Sequence, residues 1–357
     1  MAKVLQKAGF SGETIYVGID VHLKSWNVSV YYGSQYLRSF HQSPHPDILV
    51  SFLQREFPGA NYSCAYEAGF SGYWIKRAFD NQGVSCIVVN PADIPQTDKG
   101  NKSKTDRNDS KRIGSSLQAG MLCPIYIPSQ ETEADRQLVR TNEKLTRDLT
   151  RSKNRIKGML YQVGIGIPER FGSGNWSNIF INWLKDLPIS FGTLRTALNH
   201  QIKMMENIRA EKNLVLKDIR KLAVSEKYAS IASRLKTVPG VGTITAITLI
   251  TEIEDMNRFK CFEKLNAFVG FYPSEFSSGE HIRTGHIISR HHKRLWSLIL
   301  EAAWIGIRRD PAMTQYYNNT KLKVGGKRAI IKVSRKLLNR IRSIWLNKID
   351  YEIGILK

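Results

Sequence analysis

TIYVGIDVHLKSWNVSVYYGSQYLRSFH, residues 14–41, is the stretch that decides the fold. TIYVGID (14–20) is an apolar run that ends on Asp20. WNVSVYY (26–32) alternates apolar and polar side chains, the pattern of a half-buried antiparallel strand. QYLRSFH (35–41) reads as a third strand after a turn at Gly33. Working outward, DILVSFLQREF (47–57) reads as a helix and NYSCAYE (61–67) as a strand ending on Glu67. GYWIKRAFDNQG (72–83) is a helix closed by Gly83, and VSCIVVNP (84–91) is a further strand.

Three meandering strands followed by alternating helices and strands is the order of a ribonuclease-H-like α/β domain. Asp20 and Glu67 then end neighbouring strands. A loop rich in Lys, Asn and Asp (93–104) leads into a helix beginning near Asp106. Asp106 and Asp109 stand three residues apart, on one face of that helix's first turn. Carboxylates from separate elements are what a two-metal phosphodiester site needs. Lys102, Lys104, Arg107, Lys111 and Arg112 surround the pair as phosphate-binding cations would. A plainer reading stands beside this one: Thr105-Asp106 caps the helix and Asp109 complements its dipole.

The chain has 357 residues, enough for two or three domains. Its 53 Lys and Arg against 31 Asp and Glu give a net charge of +22, which calls for a polyanionic partner, nucleic acid first. No apolar run approaches the roughly 20 residues that span a bilayer, and the first residues lack the apolar core of a signal peptide. Cys64, Cys86, Cys123 and Cys261 form no C-x-x-C pair, which argues against structural zinc and a disulfide scaffold and fits a reducing cytoplasm.

From about residue 131 the pattern changes. Leu138, Asn142, Leu145, Leu149, Ser152, Ile156, Met159 and Val163 follow alternating four-and-three spacing, a coiled-coil seam. A second run, Met205, Ile208, Lys212, Val215, Ile219 and Leu222, resembles it. The two helices either pair within the chain or join subunits. Beyond them, SRLKTVPGVGTITAITLITEI (233–253) is a helix-hairpin-helix candidate in which Gly240 and Gly242 open the backbone to a phosphate; a structural turn is the alternative. The expected parts are a metal-binding α/β domain (1–130), a helical coiled-coil segment (131–228) and a mostly α C-terminal domain (229–357).

That last part is strongly basic. From Pro311 to Ile349 there is no acid but ten Lys and Arg, among them Lys327, Arg328, Lys332, Arg335 and Lys336, with Tyr316, Tyr317 and Trp345 interleaved. AIIKVSRKLLNRIRSIWL (329–346) reads as an amphipathic helix with a basic face. A second acid-free stretch, 281–300, holds Arg283, Arg290, Lys293 and Arg294. All are expected to contact nucleic acid.

VGIDVH, YEAGFSGYW, VVNPADIP and KSKTDRNDSKR in the first half, then VPGVGTITAITLI, AFVGFYPSEFSSGEHIRTGHI and LEAAW, resemble the DEDD insertion-sequence transposases in family order. That group, the insertion-sequence-110 type, includes Piv-type DNA invertases and bridge-RNA-guided recombinases. The resemblance places the four family acids on Asp20, Glu67, Asp106 and Asp109, binding Mg2+, two ions per site, for which Mn2+ substitutes. Aligned by Pro273 and Gly279, it places a serine nucleophile on Ser277, within a motif that by itself reads as a flexible polar loop. Asn108 stands where the family commonly has Arg, and His291 and His292 replace a Gly-Asn pair.

The resemblance implies strand cutting, exchange and rejoining through a phosphoserine, with double-stranded DNA and a noncoding guide RNA as partners and a homodimer assembling to a tetramer. An invertase that reads DNA without a guide is the first alternative. The second is a Holliday-junction-type nuclease that uses the acids with water.

Overall fold

The computed structural model describes residues 9–95, 106–172, 176–278, 281–287 and 291–354, with side chains except at 106, 107 and 273–287. The chain divides into two compact units, Met1–Ile127 and Pro128–Lys357.

The first unit is built on a five-stranded sheet of order β3-β2-β1-β4-β5. Its strands are β1 (Thr14–Val21), β2 (Trp26–Tyr32), β3 (Gln35–Gln42), β4 (Asn61–Glu67) and β5 (Ser85–Val89). β1 runs antiparallel to β2 and parallel to β4, and β4 runs parallel to β5. The meander and the mixed sheet are those expected of a ribonuclease-H-like domain. Strand periodicity sorts the two faces. Ile15, Val17, Ile19, Val28, Val30, Cys64, Tyr66, Cys86 and Val88 are buried in one apolar cluster together with Leu49 and Leu53 of helix α1 (Pro46–Glu56) and Ile75 and Phe79 of α2 (Trp74–Asp80). The opposite face carries Gly18, Ser29 and Ala65 in one row and receives helix α3 (Asp106–Gln118).

The second unit begins with α4 (Gln130–Gln162), capped by Ser129, whose hydroxyl accepts from the Thr132 N–H. After α5 (Asn178–Asp186) comes α6 (Gly192–Ala223), which packs along α4. Leu149, Ile156 and Leu160 of α4, Phe180, Ile181 and Leu184 of α5, and Leu198, Ile202 and Met205 of α6 share one buried cluster. The two long helices thus meet within a single chain. Burial departs from the expected seam near the end of α4: it passes from Ser152 and Ile156 to Leu160, while Val163 lies past the helix and is 44% exposed. Spacings of three, four and four follow a straight helix rather than a supercoiled one, because this end of α4 is shared between α6 and the inserted α5.

The rest of the unit packs α7 (Ala229–Leu235), α8 (Thr243–Ile253), α9 (Phe262–Val269), α10 (Lys293–Arg309), α11 (Pro311–Val324) and α12 (Gly326–Asn347) around the largest apolar cluster. A two-stranded hairpin, β6 (Pro273–Ser278) with β7 (His281–Ile287), precedes α10. Ser277 and Ser278, whose motif by itself reads as a flexible polar loop, lie on β6. Among the described residues, no helix is long and apolar enough to cross a membrane.

Candidate active site

Ile19 of β1 sits opposite Tyr66 of β4, and continuing that parallel register puts Asp20 beside Glu67. Asp20 is also paired with Asn27, and Glu67 with Val89. Asn27, Asp20, Glu67 and Val89 therefore form one row across four strands, at the C-terminal ends of the parallel ones. Ligands of open α/β sheets bind at such ends. Asp20 lies two positions beyond Gly18 and Glu67 two beyond Ala65, so the acids share the face that receives α3.

Glycine lets α3 come so close. A Cβ on Gly18 would lie 2.2 Å from both the Gly114 nitrogen and the Ser110 carbonyl oxygen of the helix, and one on Gly114 would lie 2.7 Å from the Tyr31 ring. The contact is locked by polar bonds: Ser29 Oγ lies 2.8 Å from Ser110 Oγ and 2.6 Å from Ser39 Oγ, and the Tyr31 hydroxyl donates to the Lys111 carbonyl at 3.0 Å. Held down in this way, α3 brings Asp109 to the acids of the sheet. Arg112, one turn further on, reaches Glu67 Oε1 and Asp109 Oδ1 with the same Nη2, each at 3.2 Å. Asp20 Oδ2 is 3.1 Å from His22 Nε2. The three carboxylates are 19%, 32% and 15% exposed at Asp20, Glu67 and Asp109, open enough for a ligand yet partly walled off from water.

Asp106 begins α3, one turn before Asp109; its side chain, like that of Arg107, is not among those described. Among the described residues no group of three or more His, Cys, Asp or Glu side chains is arranged to hold a metal ion. Arg112 places a positive charge between Glu67 and Asp109. The donor set itself, carboxylate oxygens from two strands and a helix, has the hard chemistry that suits Mg2+ or Mn2+.

Of the other expected site residues, Lys102, Lys104 and Arg290 lie outside the described residues. Ser277 is on β6 opposite Ile282, and Arg283 is on β7 opposite Phe276. The acid quartet and Ser277 belong to different units. Gly240 has a left-handed φ of +85°, and a Cβ there would lie 2.5 Å from the Ala302 carbonyl of α10. The need for glycine at this position is therefore internal packing; Gly242, the residue before α8, meets no such neighbour.

Lys293 is exposed at the start of α10, whereas Arg294 turns inward to Glu143 and Glu252. Two carboxylates already hold it, so its charge is engaged inside the protein. On α12, Lys327, Arg328, Lys332 and Lys336 are exposed and Arg335 is half-buried, opposite a face of buried Ile330, Val333, Leu337 and Ile341. Lys336 Nζ lies 3.7 Å from the centre of the Tyr316 ring.

Sequence reasoning missed His22 and the bridging position of Arg112. It also missed Glu252, whose one signal was a lone acid in the apolar run TITAITLITEI.

A mixed sheet with acids gathered at the ends of its central strands, followed by a basic helical unit, is the arrangement expected of a nucleic-acid enzyme of the ribonuclease-H-like class. Residues 17–165 match the DEDD transposase model of the IS110 type, and residues 232–318 match the model described as Transposase IS116/IS110/IS902 family. The chain belongs to this IS110-type transposase family, whose DEDD acids imply use of a divalent metal. It is similar to a putative transposase, y4qE, of Sinorhizobium fredii (strain NBRC 101917 / NGR234), with 29% identity over 68% of this chain and 58% of that protein. It is also similar to the transposase for insertion sequence element IS1533 of Leptospira borgpetersenii, with 26% identity over 68% of this chain and 70% of that one. The transposase for insertion sequence element IS1111A of Coxiella burnetii (strain RSA 493 / Nine Mile phase I) is 23% identical over 66% and 63%. The match thus spans between about three-fifths and seven-tenths of these relatives' lengths.

Proposed function

We propose that this chain mobilises an insertion sequence, cutting, exchanging and rejoining DNA strands through a phosphoserine at Ser277, with Mg2+ held by Asp20, Glu67, Asp106 and Asp109. One observation carries the reading: Asp20 and Glu67 end neighbouring parallel strands, and the Gly18–Gly114 contact lays Asp109 against the same face. Bound divalent ions supply charge neutralisation at the scissile phosphate and favour the alkoxide form of the attacking hydroxyl.

The remaining work falls to the chain. Asp20, Glu67, Asp106 and Asp109 are the residues that would hold those ions. Ser277 Oγ bonds to phosphorus as the bond from phosphorus to a sugar oxygen breaks, and the serine proton leaves to the freed sugar oxygen. Attack by the sugar hydroxyl of another strand then reverses the exchange. One phosphoester replaces another at each step, so rejoining needs no ATP.

The exposed cations of α12 suit a phosphate backbone of any sequence. That favours double-stranded DNA at the element ends and target, with base recognition delegated to a noncoding guide RNA. Joining two DNA sites calls for a dimer at each and a tetramer overall, working on the nucleoid in the bacterial cytoplasm.

Incubating the chain with Mg2+ and DNA carrying the element ends, then denaturing it, tests the chemistry. A covalent protein–DNA adduct is expected from the wild type and is lost in Ser277→Ala, while Asp20→Asn abolishes cleavage. Cleavage by Ser277→Ala at the wild-type rate would make water the nucleophile and the protein a nuclease. Sequencing co-purified RNA tests the guide: loops complementary to the element ends are expected, and their absence would favour an invertase that reads DNA itself.

A further inference from the structure

Two arginines show contrasting ways of meeting a carboxylate. Arg140 grips Glu252 with its fork, Nε to Oε1 at 2.9 Å and Nη2 to Oε2 at 2.8 Å, the paired geometry that makes arginine a durable structural cation. Arg112 does otherwise. A single nitrogen is divided between Glu67 and Asp109 at 3.2 Å to each, and among the described residues the buried Arg112 Nε meets no hydrogen-bond acceptor. The charge is well placed and the donors are poorly used. Such a group neutralises its neighbours without holding them tightly.

The place it takes is the telling part. Nη2 stands between an oxygen of β4 and an oxygen of α3, two carboxylates that would repel each other if left alone. A divalent ion held by those same two carboxylates would compete with Nη2 for their charge. The geometry points to Arg112 as a displaceable counter-ion: a positioning residue that keeps Glu67 and Asp109 together in the metal-free chain and leaves its place when a divalent cation arrives. This inference rests on the proposed reading of these acids as metal ligands. Its consequence is that metal binding is weaker than the bare carboxylates would give, because each ion must displace an internal charge.

Manganese binding to the full chain without nucleic acid, followed by the electron paramagnetic resonance of free Mn2+, measures the competition. Removing the competitor in Arg112→Gln is expected to tighten Mn2+ binding on the order of tenfold, the equivalent of one partly screened ion pair. Restoring a cation in Arg112→Lys is expected to return the affinity towards the wild-type value. A merely structural arginine would give the opposite sign, since its loss would loosen the acids. Unchanged or weaker Mn2+ binding in a folded Arg112→Gln chain overturns the inference.

The wild type supplies an independent readout. Phenylglyoxal labelling of Arg112, followed by mass spectrometry, is expected to accelerate when Mg2+ is added and the guanidinium is released. Labelling that is unchanged or slowed counts against displacement. If neither wild type nor Arg112→Gln takes up Mn2+, the metal reading itself fails; equal uptake by both refutes the counter-ion alone.

Discussion

Glu252 is 1% exposed, and three arginines and a histidine meet its carboxylate: Arg136 and Arg140 of α4, and His292 and Arg294 at the start of α10. His292 also accepts the Leu295 N–H on Nδ1, so it caps α10 while its Nε2–H donates to Glu252. These bonds tie the last turn of α8 to two other helices, at the point where the chain leaves the hairpin bearing Ser277. Burial pushes the Glu252 carboxyl up, but hydrogen bonds from His292 and Arg140 outweigh it and hold the group well below the ordinary carboxylate value. A depressed folded-state value means that the stabilisation is complete above the unfolded value of 4.5 and fades as pH falls from there through the folded one. Glu252→Gln leaves buried cations short of a partner and is expected to cost about 3–5 kcal/mol at pH 7, where urea unfolding measures it. The difference from wild type should shrink as the pH is lowered past the unfolded value. Equal urea midpoints at pH 7 would refute this account.

At the scale of elements, the sheet was legible and its junction with α3 was not. Alternation in WNVSVYY and the runs ending in Asp20 and Glu67 place strands because burial on one face imposes a period of two. Nothing local announces that Gly18 must lie under a helix nearly a hundred residues away; that is a tertiary demand, visible only once Gly114 is seen against it. For the same reason the acids could be nominated, while the sharing of Arg112 between two of them could not. The β6–β7 hairpin escaped because PSEFSS is polar and short, without the apolar alternation that marks a strand. The glycine contact gives a test that touches no acid. A methyl at Gly18 meets backbone atoms at 2.2 Å, which no side-chain rotation relieves, so α3 must lift from the sheet. Gly18→Ala is expected to destabilise the protein by roughly 1–3 kcal/mol or more and to weaken Mn2+ binding along with DNA cleavage. Wild-type thermal stability and Mn2+ affinity in that variant would show that the helix does not depend on the contact.

Over the whole molecule, a net charge of +22 is divided between cations that face solvent and cations that hold the fold. The sequence counts both alike, since the residue types are the same. Of the basic residues on α12, Arg340 bonds Asp310, a fully buried carboxylate that caps α11 and also receives the Tyr351 hydroxyl, and Arg342 donates to the Phe259 carbonyl at 3.2 Å. Lys327, Arg328, Lys332 and Lys336 have outward positions instead. Salt dependence separates the two groups, because each cation that neutralises a phosphate releases a counterion. Plotting log affinity for duplex DNA against log salt, each of the four exposed cations changed to Ala should flatten the slope by about 0.9 if it meets a phosphate. Arg340→Ala is expected to leave that slope unchanged and instead to lower the unfolding midpoint, since Asp310 then loses its cation inside the protein. A reduced salt slope for a stably folded Arg340→Ala would place Arg340 on the DNA, whereas an unchanged slope across all four exposed variants would remove the outer face of α12 from the nucleic-acid surface.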